Sequence, residues 1–130
     1  MTKTKIYVSW NEFNEMTLEL AEQIKKSKIK FSGIYGIPRG GLPLAVYLSH
    51  NLELPLIFEG KPTLDHLIVD DISDKGNTLN NFQDYTIACL YSTPWTKNTP
   101  NWYVRLKQDE NQWIIFPWEK DDRTEKNNTI

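Results

Sequence analysis

The chain has 130 residues, 39% hydrophobic and 12% aromatic, with 15 basic against 17 acidic residues for a net charge of -2. That is enough apolar material for one packed core and too little chain for a second domain, and it lacks the basic excess of a protein that lives on nucleic acid. No run approaches the roughly 18 apolar residues of a membrane span, and "MTKTKIYVSW" lacks the apolar block of a secretory signal, so a cytoplasmic protein without a membrane partner is expected.

In chain order, "SWNEFNEMTLELAEQIKKSK" opens with Ser9 and Glu12 at capping-box spacing, and Trp10, Phe13, Met16 or Thr17, Leu20 and Ile24 recur at helical intervals. This predicts one amphipathic helix ending near Lys26 to Lys28, with "QIKKSKIKF" as its solvated end. "FSGIYGI" reads as a short strand leading through a glycine turn into "PRGGLPLAVYLSHNL", a second helix with Pro43 in its first turn. "LPLIFEG" and "DHLIVDD" are further strands, "GNTLNNFQD" a brief helix, and "YTIACLY" another strand holding the single cysteine, Cys89, which reads as a core residue. Past the proline-flanked loop "STPWTKNTPN", "WYVRLK" and "WIIFPW" look like strands. The expected domain is 1–119, with a polar tail, 120–130, expected to fray. Strands alternating with helices predict an α/β fold, a mainly parallel sheet covered on both faces, with ligands held at the carboxyl ends of the strands.

Both glycine-bearing loops lie at such ends. In "DKGNT", backbone N–H groups of a tight turn that opens a helix can converge on a phosphate. Gly76 permits close approach, Asn77 tolerates unusual backbone angles, and Thr78 supplies a hydroxyl. This is not the nucleotide P-loop pattern. Asp70 and Asp71 repel each other at a strand end unless a metal ion, with magnesium the natural candidate, or sugar hydroxyls share their charge. On these two residues alone, a simple turn-capping role stays open.

"LIVDDISDKGNTL" resembles the phosphoribosyl pyrophosphate (PRPP) motif of the type I phosphoribosyltransferases, and "GIPRGGLPLA" resembles that family's pyrophosphate loop. "YVSWNEF" and "WIIFPWE" are similar to the opening and closing segments of the bacterial xanthine-guanine and related 6-oxopurine enzymes, so the likeness spans about residues 6 to 119. The resemblance implies a single-domain fold of that family and transfer of the phosphoribosyl group of PRPP to guanine, xanthine or hypoxanthine, with Mg2+ as cofactor. Amides from Asp74 through Lys75, Gly76 and Asn77 to Thr78 would hold the 5'-phosphate. Asp70 and Asp71 would take the ribose hydroxyls, directly or through magnesium, and Asp74 would lie near N7 of the purine and handle its proton. Pro38, Arg39, Gly40 and Gly41 would grip pyrophosphate, with a non-proline cis peptide at Pro38–Arg39. Trp113 would stack on the base and the Ile114 backbone would read its edge, although a strand tryptophan also serves as core. A homo-oligomer, dimer or tetramer, is implied, and Trp95, Trp102 and Tyr103 would line its interface or belong to the core.

The sequence departs from the family in two places. Only "EGKPTLD" stands where a long flexible lid is usual, and "YTIACLYSTP" lacks the lysine that contacts the purine 6-oxo group, with Leu90 near that position and no lysine nearer than Lys97. These departures keep a second reading in play, a non-catalytic regulatory module that binds PRPP or a nucleotide. A third, an α/β nucleotide-handling domain with chance likeness in its loops, is also kept.

Overall fold

The computed structural model describes residues 3–120. Its elements in order are β1 (Thr4–Tyr7), α1 (Trp10–Ser27), β2 (Gly33–Gly36), α2 (Leu42–Leu52), β3 (Leu56–Ile57), β4 (His66–Ser73), a 3-10 turn (Thr78–Phe82), β5 (Thr86–Ser92), β6 (Arg105–Leu106) and β7 (Gln112–Ile115). Five strands form one parallel sheet in the order β3-β2-β4-β5-β6, and β1 pairs with β7 in a separate two-stranded parallel ribbon. Among the described residues no helix is long and apolar enough to cross a membrane. Apart from Lys120, the expected tail lies outside the described residues.

α1 starts where the capping box predicts. Ser9 Oγ accepts from the Glu12 amide at 3.1 Å, and Glu12 Oε1 accepts from the Ser9 amide at 3.3 Å, so two otherwise orphaned N–H groups are satisfied. Ser9→Ala is expected to cost about 1 kcal/mol of stability, read as a lower urea midpoint with an unchanged m value. Lys28, at φ 61, ends the helix in the left-handed region.

Alternation along the strands splits the core in two. Ile34, Leu67, Val69, Ala88 and Leu90 face α1 and α2. Ile68, Ile87 and Cys89 face the other way, together with Ile37 and with Leu79 of the 3-10 turn. The sheet is thus covered on both faces as expected, α1 and α2 sharing one face and the 3-10 turn, where a brief helix was expected, covering the other. An α-helix there is disfavoured by Asn77, Asn80 and Asn81, whose side chains compete for backbone hydrogen bonds. The expected strand "WYVRLK" shrinks to Arg105–Leu106, because Asn101 and Trp102 first spend their amides on the Ile87 carbonyl at 2.8 and 3.3 Å.

An aromatic cluster fastens the segment after β7 to the helices. The Phe13 ring meets Tyr47 at 4.8 Å and Trp118 at 5.0 Å, both edge-on, and Trp118 stacks on Phe116 at 5.0 Å. This fixes residues 116–118 over the carboxyl end of the sheet, beside the first glycine loop.

Candidate active site

The first glycine loop leaves β2 and returns at once into α2. Its Pro38–Arg39 peptide is cis, as the resemblance implies. Gly41 fills a space bounded by backbone: a Cβ there would lie 2.5 Å from the Val69 carbonyl oxygen and 2.8 Å from the Ile37 amide nitrogen and carbonyl oxygen. A Cβ on Gly40 would overlap the Asp71 carboxylate. The loop is thus seated directly against the carboxylates at the end of β4. Arg39 and Gly40 open onto a cleft of about 690 Å³ shared with Trp118, Glu119 and Lys120.

Asp70 and Asp71 are both largely shielded from water, and Asp70 is 8% exposed. Each caps the next amide: Asp70 Oδ1 accepts from the Asp71 N–H at 2.9 Å and Asp71 Oδ1 from the Ile72 N–H at 2.8 Å. The turn-capping role is therefore real, and it leaves an electrostatic problem. Burial, then the neighbouring Asp71 charge, pushes Asp70 up to about 8. Burial also raises Asp71 and, with help from the Asp71 charge, Glu119. The pair holds a proton that a cation or hydroxyl donors could replace.

That proton carries a stability signature. Between the ordinary carboxyl pKa and about 8 the folded chain binds more protons than the unfolded chain, so stability falls as pH rises through that window and levels off above it. Melting temperatures across pH 5 to 9 should show this decline, Asp70→Asn should flatten it, and added Mg2+ should restore stability at the alkaline end.

The second glycine loop lines a pocket of about 300 Å³ running from Ile72 to Leu79. Gly76 sits at φ +84, and Asn77 and Thr78 lead into the 3-10 turn. What sequence inspection missed is the bracket that holds this loop from outside. Thr93 Oγ1 donates to the Asp74 carbonyl at 2.5 Å, the Lys97 amide to the Lys75 carbonyl at 3.1 Å, and Asn98 Nδ2 to the Gly76 carbonyl at 2.7 Å. Lys97 Nζ donates to Asn77 Oδ1 at 2.9 Å, and Ser73 Oγ donates to the Asn98 carbonyl at 2.8 Å. The carbonyls of Asp74, Lys75 and Gly76 are thus all taken up by residues 93–98.

Asp74 stands where this bracket meets the end of β6. Its Oδ2 is 2.6 Å from Lys107 Nζ, and its Oδ1 accepts from Trp95 Nε1 at 3.0 Å. Burial pushes the Asp74 pKa up, but the Lys107 and Trp95 hydrogen bonds and the Lys107 and Lys3 charges outweigh it, so Asp74 lies below its ordinary value and is ionised at neutral pH. Lys107 is 6% exposed. The matching stretch of β5 lacks a lysine, yet one arrives from the far side of the loop.

Trp95 therefore serves the site. Trp102 packs edge-on to Phe31 at 6.3 Å, and the Tyr103 carbonyl accepts from Gln23. Trp113 and Ile114 lie on the β1–β7 ribbon. Trp113 is 37% exposed with Lys5 Nζ 5.2 Å above its ring, whereas Ile114 is buried and in register with Ile6.

The connection between β3 and β4 is short and tied down. Ser32 Oγ donates to Asp65 Oδ2 at 2.5 Å, Thr63 Oγ1 bonds Asp65, and Tyr85 OH donates to the Pro62 carbonyl at 2.8 Å. Phe58 and Leu64 stay 79% and 65% exposed.

No family model matches the chain. Xanthine-guanine phosphoribosyltransferase from Gluconobacter oxydans is 28% identical, over 86% of this chain and 83% of its own, and that of Idiomarina loihiensis is 26% identical over 88% and 87%. Among solved structures, purine phosphoribosyltransferase from Pyrococcus horikoshii Ot3 is similar at 32% identity and TM-score 0.77, covering 90% of this chain and 95% of that one. The xanthine-guanine-hypoxanthine phosphoribosyltransferase of Helicobacter pylori shares the fold at TM-score 0.78 and 24% identity, covering 95% and 99%.

Proposed function

Because this chain belongs to the type I phosphoribosyltransferase family, we propose that it transfers the phosphoribosyl group of PRPP to a 6-oxopurine, guanine, xanthine or hypoxanthine. A ring nitrogen of the base forms the bond to C1 of the sugar, the C1–oxygen bond to pyrophosphate breaks with its electron pair leaving on that oxygen, and the base gives up one N–H proton. The observation that carries the proposal is the contact of the first loop with the end of β4: Gly40 lies against Asp71, so a pyrophosphate grip and a ribose grip would adjoin, with the phosphate pocket next along the chain.

On this reading the amides of Lys75 to Thr78 take the 5'-phosphate, Asp70 and Asp71 the ribose hydroxyls, and Arg39 and the amides of Gly40 and Gly41 the pyrophosphate. Asp74, ionised, faces the positive charge that grows on the sugar and accepts a proton from the base. Trp113 offers an accessible ring for stacking, with the Ile114 backbone alongside.

Mg2+ fits the donor set. Asp70 and Asp71 are hard oxygen donors whose repulsion a divalent ion would relieve. Among the described residues no cluster of three or more His, Cys, Asp or Glu side chains forms. When bound, the ion would neutralise charge on the departing pyrophosphate. A cytoplasmic homo-oligomer, folded as one domain over 1–119, completes the proposal, and light scattering reads the assembly.

The test is to mix the protein with PRPP, Mg2+ and, separately, guanine, xanthine, hypoxanthine, adenine and uracil, and to measure pyrophosphate and nucleotide. Turnover with an oxopurine supports the transferase. Magnesium-dependent binding of PRPP without turnover on any base leaves the regulatory module.

A further inference from the structure

Asn98 touches the second glycine loop at its start, its middle and its end. Its side-chain amide donates to the Gly76 carbonyl and to Asn80 Oδ1, each at 2.7 Å. Its backbone carbonyl accepts from Ser73 Oγ at 2.8 Å, where β4 closes. The side chain thus spends both of its N–H donors on the segment that leaves β4, and the main chain holds the residue from which that segment departs.

The shape of the peptide unit turns these contacts into a direction. In a trans peptide the C=O and the following N–H point opposite ways in one plane, and among the described residues the cis bond is Pro38–Arg39. The carbonyls of Asp74, Lys75 and Gly76 are held by Thr93 Oγ1, the Lys97 amide and Asn98 Nδ2. The N–H groups of Lys75, Gly76 and Asn77 are therefore directed away from residues 93–98, and among the described residues none of them donates to an acceptor. The pocket of about 300 Å³ takes its described lining from Ile72 to Leu79, with no residue of the bracket.

The Gly76–Asn77 peptide is the unit most able to turn. Glycine tolerates rotation of the next peptide at little steric cost, and Gly76 already sits at φ +84. The Lys75 carbonyl is held by backbone, whereas among the described residues the Gly76 carbonyl is held by the Asn98 side chain.

We propose that Asn98 is a positioning residue for the phosphate site: it locks the Gly76–Asn77 peptide so that the Asn77 amide, with those of Lys75 and Gly76, is aimed at the 5'-phosphate before the ligand arrives. Without the Asn98 donor the Gly76 carbonyl is left unsatisfied, and the peptide turns to find water. That rotation carries the Asn77 N–H out of line. The assignment rests on the phosphoribosyl reading of the site.

The experiment titrates wild type and Asn98→Ala by calorimetry with two probes, ribose 5-phosphate for the second glycine loop and magnesium pyrophosphate for the first. Loss of Asn98 should weaken ribose 5-phosphate by roughly tenfold, the worth of a hydrogen bond to a charged group, and leave pyrophosphate unchanged. A residue that merely supports the fold would lower the melting temperature and weaken both probes alike, or neither, and either result overturns the proposal. Should Asn98→Ala fail to fold, Asn98→Leu, close in size and without a donor, runs the same pair of titrations. Wild type that takes up no ribose 5-phosphate sinks the phosphoribosyl reading itself. Wild type and variant that bind it equally well overturn the positioning role and leave that reading standing.

Discussion

Asp74→Asn is expected to lower kcat with an oxopurine by roughly 10²- to 10⁴-fold, the usual worth of a positioned proton acceptor. The carboxylate is ionised because Lys107 and Trp95 both donate to it. An amide in its place can accept from one of them, but its own N–H2 must face the other, and it neither takes a proton nor offsets charge on the sugar. On the proposed reading the 5'-phosphate is held by backbone amides, which the substitution leaves in place, so KM for PRPP should move little. A kcat drop with a steady KM is the mark of an interaction made in the transition state. An unchanged kcat would show that Asp74 only anchors Lys107.

Gly76→Ala should raise KM for PRPP by roughly 10²-fold. The position has φ +84, where a Cβ is strained, and that Cβ would lie 2.5 Å from Thr96 Oγ1, 2.8 Å from the Asn98 amide nitrogen and 3.0 Å from that of Lys97. Thr96 is held by Ser73 Oγ at 2.8 Å, and the other two atoms are backbone of the bracket. The loop or the bracket must shift, and on the proposed reading either movement displaces the amides that hold the phosphate. Titration of the variant with PRPP reads the loss; an affinity within a fewfold of wild type would mean the loop is not the phosphate site.

Much of the site is legible in the sequence because it is local. The capping box at Ser9, the glycine turn before α2, the carboxylates closing β4 and the phosphate loop after them each lie within a dozen residues, and short-range chemistry fixes them. The bracket and the buried lysine are not legible, for a physical reason. Lys107 meets Asp74 across 33 residues of chain, and Trp95 across 21. A lysine in "YVRLKQ" reads as a solvated strand residue, whereas here Leu106 is 42% exposed and Lys107 is inside. The alternation is inverted because the partner is a carboxylate rather than the core, and no pattern of apolar spacing encodes that. The 3-10 turn differs from the expected helix for the opposite cause, a local one: asparagines at 77, 80 and 81 suit a loop, and the same side chains compete for the backbone hydrogen bonds that a longer helix would need.

The staples at Pro62, Thr63 and Asp65 bear on timing. Among the described residues they tie the connection between β3 and β4 to the body of the fold. With no large segment to swing shut among the described residues, a bound substrate is expected to return to solution many times for each turnover. KM then approaches a true dissociation constant, and turnover becomes insensitive to solvent viscosity. Water that reaches the activated sugar competes with the base, and the ratio of hydrolysed to transferred phosphoribosyl group measures what this short connection leaves open.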